Sequence, residues 1–85
     1  MKQNFYFTYG TSTSFPFQNG YTKVIAQTRA TAIRLFQMIH PNQTENVINC
    51  AFIYSEKEFE NTVCATQKCH ETIEGMDGNP VRNLC

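Results

Sequence analysis

The chain has no tryptophan, only three prolines and four glycines, and an even balance of seven cationic against seven anionic side chains over 85 residues. Each scarcity excludes something. A formal net charge of zero removes the excess of Lys and Arg on which non-specific nucleic-acid binding rests, and it equally disfavours a charged membrane surface. No apolar run approaches the ~20 residues of a membrane-spanning helix. The opening residues Met1–Tyr6 lack the apolar core of a secretory signal, so a cytoplasmic protein without a membrane partner is expected. There is no repeat, no low-complexity tract and no G-x-x-x-x-G-K-[ST] phosphate loop. The length accommodates one domain, and a chain this short buries only about 60% of the surface its unfolded form exposes. Self-association is a common remedy for such marginal cores, and a homo-oligomer is the expectation.

What the chain does have is aromatic surface, seven Phe and four Tyr. Phe5, Phe7 and Tyr9 alternate with Tyr6 and Thr8, the period-two pattern of a strand over Asn4–Tyr9. A polar, hydroxyl-rich stretch, Thr11 to Gly20, separates it from a second strand, Tyr21–Ala26, expected to run antiparallel to the first. Thr28 is placed to cap a helix over Arg29–His40, whose apolar stripe is Ala32, Leu35, Phe36 and Ile39. Pro41 stops that helix. Val47–Tyr54 is apolar on both faces apart from Asn49 and reads as a central strand. Ser55 and Glu58 form a capping box for a short second helix from Glu56 to about Lys68. The fold expected is α+β: a small β-β-α-β domain, an antiparallel-type sheet of about three strands on one helix, with a short second helix. Residues 1–68 form the compact part and 69–85 an irregular C-terminal arm, extended or partly disordered.

The chemistry-bearing residues do not assemble into a catalytic signature. Cys69 and His70 are adjacent and do not point at each other, and no third group is placed to orient the imidazole. No enzyme is expected. Cys64, Cys69, His70 and Cys85 supply enough soft ligands for zinc, but a second closely spaced pair is missing, so free thiols are preferred and no metal or cofactor is assigned. The compartment argument likewise favours thiols over a disulfide. Cys50 reads as structural, His40 as a helix-end cap, and Glu56, Glu58, Glu60, Glu71 and Glu74 as solvated or first-turn acids. The loop after the first strand is longer than a usual hairpin connection and is the leading contact region. Its hydroxyls and backbone donors suit a phosphate. Tyr6, Thr8, Thr11, Ser12, Thr13, Ser14, Arg29 and Arg34 are the expected ligand-binding residues, with Tyr6 and Tyr21 as flat surface for a base. The competing reading has Phe15 and Phe17 folding that loop onto the core.

Phe5-Tyr6-Phe7-Thr8-Tyr9-Gly10, then Gly20-Tyr21-x-x-Val24-Ile25-Ala26, an Ala-bearing helix and Ile53-Tyr54-Ser55-Glu56 resemble a diffuse group of small phage and prophage proteins opening with an F-x-F-T-[FY]-G strand. The resemblance covers about the first 60 residues and carries no catalytic residues. It implies an accessory protein that inhibits host antiviral defence by binding. Two targets follow as expectations: a nucleotide-like small molecule sequestered by an oligomer, or a host defence protein engaged in an anti-CRISPR-like manner. A zinc-stabilised structural domain is the third alternative.

Overall fold

The computed structural model describes residues 2–11, 13, 15, 17–42, 44, 47–76 and 79–85, without the side chains of Val63, Cys64 and Met76. Strands β1 (Gln3–Thr8) and β2 (Gly20–Ala26) pair antiparallel, with Phe5 opposite Val24 and Phe7 opposite Thr22. Asn19 turns the chain at a φ of 59° and donates its N–H to the Gly10 carbonyl at 2.7 Å. Helix α1 (Arg29–Ile39) starts at Thr28, whose hydroxyl accepts the Thr31 N–H. Alternation on the strands and the stripe on the helix then meet in one core. Ala32, Leu35 and Phe36 bury against Phe5, Phe7, Val24 and Ile73, and the Phe7 and Phe36 rings stack at 4.4 Å. Burying each such ring contributes about 1.5–3 kcal/mol.

The sheet is larger than the sequence reading allows. It has five strands in the order β3-β1-β2-β4-β5, with β3 (Phe52–Ser55), β4 (Lys68–Met76) and β5 (Asn79–Asn83). It is mixed, because β4 runs parallel to β2 while every other pair is antiparallel. The expected three-stranded antiparallel sheet with an irregular arm is therefore wrong. The arm is a hairpin whose first strand adds to the free edge of β2. Ile73, with no exposed surface, sits beside Val24 under α1.

Two boundaries also move. The expected central strand Val47–Tyr54 forms only as β3, at the sheet edge. Residues 47–51 bend over the core instead. Cys50 is buried, Ile48 packs on the core, and the Ala51 N–H reaches the Thr8 carbonyl at 2.7 Å. The second helix, α2 (Glu56–Glu60), has its capping box but stops at Asn61. A short 3-10 turn at Val63–Thr66 follows, and Lys68 is already paired in β4. Phe59 lies on the sheet face opposite α1, stacked on Tyr6 at 4.0 Å. The expectation of free thiols fails for two of the four cysteines, since Cys69 and Cys85 form a disulfide that ties the C-terminus to the start of β4. Among the described residues, no helix is long and apolar enough to cross a membrane.

Candidate functional site

Of the eight expected ligand residues, the six that are described do not converge. Tyr6 is half-buried between Phe59 and Tyr21, and burial, then the nearby Glu56 charge, raises its phenol above the ordinary range. Thr8 is buried, with its hydroxyl directed at the Phe52 carbonyl. Thr11 and Thr13 are exposed in the long loop, and Ser12 and Ser14 lie outside the described residues. Phe15 and Phe17 of that loop pack against the core, as the competing reading has it. Arg29 donates to Glu58 at 2.8 Å and to the Ile53 carbonyl at 3.3 Å, so it docks the start of α1 on β3 and α2. Glu58 also accepts the Ser55 N–H, and these donors, the Ser55 N–H first, hold its carboxyl below the usual range. Connectivity separates the groups further. The loop precedes β2 and Arg29 follows it, so the length of β2, about 20 Å at ~3.3 Å per residue, stands between them.

Of these residues, Arg34 lines a hollow. A groove of about 250 Å³ opens where β2 ends and α1 turns back over the sheet. Its floor is Ala26 and Leu35, both buried, with Met38 half-exposed at the rim. Gly75 keeps it open from the β4 side, since a Cβ there would lie 3.0 Å from Leu35 Cδ1. Two cations overlook this apolar floor. Lys2 is anchored to Glu74 at 2.7 Å, and Arg34 has no ion-pair partner among the described residues. A second, polar hollow of about 320 Å³ also includes Lys2 and is lined by Asn4, Ser55, Glu56 and Lys57. There Asn4 donates to Glu56 at 3.2 Å.

A different cluster escaped the sequence reading. Glu71 is fully buried on β4, facing α1. The Thr22 hydroxyl donates to its Oε1 at 3.0 Å, and the Tyr9 hydroxyl in turn donates to Thr22. His40 Nε2 bonds the same Oε1, and Arg82 Nε bonds Oε2 from β5. Desolvation pushes the Glu71 carboxyl up, but His40, Arg82 and Thr22 together outweigh it and hold the group below the usual carboxylate range. Burial drives the Tyr9 phenol well above its ordinary value. The expected roles of both ends change accordingly. The His40 backbone N–H does close the helix on the Phe36 carbonyl at 2.8 Å, but its imidazole serves Glu71, and Glu71 is no solvated acid. The missed signal was the period-two alternation Glu71-x-Ile73-x-Gly75, hidden because a charge occupies an inward position.

This cluster ties β2, β4, β5 and the end of α1 together. Both Glu71 oxygens are occupied by donors, and neither hollow is lined by Glu71, His40 or Arg82. The Cys50 thiol is pushed up to about 12 by burial and is correspondingly inert. Of the four zinc candidates, Cys69 and Cys85 are bonded to each other and the Cys64 side chain lies outside the described residues. Among the described residues, no group of three or more His, Cys, Asp or Glu side chains could hold a metal ion. Compared with known proteins, the chain matches no family model, no curated protein and no solved structure.

Proposed function

We propose that this chain is a non-enzymatic binding protein that captures a nucleotide-like small molecule in the groove between α1 and the end of β2. One observation carries the reading: Arg34, with no ion-pair partner among the described residues, stands beside Lys2 over the apolar floor of Leu35 and Ala26. Small-molecule sites combine such an apolar lining with a few placed polar groups, and a guanidinium offers both a planar fork of donors and a flat face that stacks on a base. The proposed location differs from the hydroxyl loop, whose aromatic residues are committed to the core. The resemblance of the first 60 residues to phage proteins supplies the context: capture of a host defence signal in the host cytoplasm by a homo-oligomer.

Titration calorimetry with linear, cyclic and ADP-ribose-type nucleotides tests it, together with amide shift mapping. The expected shifts centre on Lys2, Gln27, Thr31, Arg34 and Gly75, and Arg34→Gln weakens binding about tenfold, the usual loss for a charged hydrogen bond. If no nucleotide in the panel produces heat or shifts, the proposal is wrong. Native mass spectrometry reports the subunit number in the same preparation.

Engagement of a host defence protein has a separate observation in its favour. β3 lies at the sheet edge, and Phe52 on it is 62% exposed beside Tyr54. An edge strand offers unpaired backbone groups to a partner. Under this reading Phe52→Lys abolishes capture of one specific host protein, while the nucleotide titrations stay flat.

A further inference from the structure

The groove is small for a ligand, since pockets for drug-sized molecules run to about 300–1,000 Å³. Among the described residues, its lining carries no carboxylate to accept from a ribose hydroxyl. The polar hollow has the complementary character. Asn4, Ser55 and Glu56 offer amide, hydroxyl and carboxylate groups, and Lys57 adds an ammonium with no ion-pair partner among the described residues. Lys2 belongs to both hollows. Chain order places them at one end of the sheet: β1 begins there, and β2, β3 and β4 end there.

We infer that the two hollows form one bipartite site that takes a nucleotide, with the base on the Leu35–Met38 side and the sugar phosphate across Lys2 in the polar hollow. This rests on the groove being a ligand site. The chemistry divides cleanly. A planar, weakly polar base fits the apolar floor, and Arg34 adds a guanidinium able to stack on its face. Ribose hydroxyls donate to Glu56 and accept from Asn4. The phosphate falls beside Lys57, the ammonium of that hollow with no ion-pair partner among the described residues, since Lys2 is already bonded to Glu74. Lys2, already anchored by Glu74, is the fixed cation at the junction. Lys57 lies in the short helix that the Ser55–Glu58 capping box sets in place. The site thus distinguishes a nucleotide from its nucleoside through a residue remote from the base.

The test compares adenosine with adenosine 5′-monophosphate on the full chain by calorimetry, in wild type, Lys57→Gln and Lys57→Glu. The expected result is a nucleotide bound about tenfold more tightly than the nucleoside, the scale of a charged hydrogen bond. Lys57→Gln removes that advantage and leaves adenosine affinity unchanged, and Lys57→Glu turns it into a penalty. Lys57 is exposed, so neither substitution threatens the fold. If the phosphate advantage survives both substitutions, the polar hollow is not the phosphate site, and the inference fails while the groove reading stands. If adenosine and its monophosphate bind equally in wild type, the inference fails in the same way. If neither binds, both fail.

Discussion

A carboxylate with no exposed surface keeps its charge only when protein donors replace the water it has lost. Glu71 has three, from His40 at the end of α1, from β2 and from β5, and their arrangement decides what each substitution costs. Arg82 is 44% exposed at its side chain while Glu71 is fully covered. Removing the carboxylate leaves an arginine that water can solvate. Removing the arginine leaves a buried anion with only His40 and Thr22. Arg82→Met is therefore expected to cost about 3 kcal/mol, and Glu71→Gln distinctly less, in urea denaturation at neutral pH. The order of the two is the discriminating result. Acid acts on the same group. Its folded value lies below the unfolded one of about 4.3, so its stabilisation is present above that pH and disappears as pH falls through the folded value. The urea midpoint should fall more steeply below about pH 4.3 in wild type than in Glu71→Gln. Gly20 tests the neighbouring contact. A Cβ there would collide with the His70 ring and stand 2.6 Å from the Lys68 carbonyl, so Gly20→Ala should cost about 2 kcal/mol by overpacking. The sequence shows none of this pairing. His40 and Glu71 lie far apart along the chain, and each alone has an ordinary surface reading.

At the scale of elements, the first hairpin and α1 were legible because their apolar positions keep one period from end to end. β4 and β5 were not. β4 carries Glu71 at an inward position, and β5 has Pro80, which lacks an N–H, and almost no buried surface. β5 is held by its ladder to β4, by Arg82 on Glu71 and by the Cys69–Cys85 disulfide. Its one aliphatic side chain, Val81, is 38% exposed. Such a strand depends on the cross-link more than the core does. A dithiol reductant should therefore open β5 selectively. Closing a loop of this length restricts the unfolded segment by an amount equal to roughly a hundredfold in the opening equilibrium. Hydrogen exchange at residues 79–83 should accelerate by about that factor on reduction, with β1, β2 and α1 still protected. The Cys69→Ser/Cys85→Ser double variant should exchange like the reduced protein. Loss of protection everywhere would instead make the disulfide a staple of the whole domain. The bridge persists only in oxidising surroundings, so the proposed host cytoplasm would keep β5 in its loosened state.

For the whole molecule, the decisive property is a thin margin. One helix covers one face of the sheet, and a five-residue helix with Phe59 covers part of the other. Phe52 and Leu84 remain largely exposed, at 62% and 78%. A domain this size responds strongly to anything that binds its folded form. Ligand at a hundred times its Kd adds about 2.7 kcal/mol, and each kcal/mol moves the melting midpoint by about 4–8 °C, so the rise should be about 10–20 °C. Self-association acts through the same linkage but scales with protein concentration. The two separate in a melt run over a hundredfold range of protein, with and without adenosine 5′-monophosphate. A midpoint that climbs with protein alone reports an assembly, and Phe52→Lys should abolish the climb if the β3 edge forms it. A rise that needs the nucleotide, is the same at every protein concentration and is roughly halved in Arg34→Gln at the same ligand concentration reports the groove. A midpoint that neither the nucleotide nor dilution moves would leave the fold without a binding partner of either kind and would count against both.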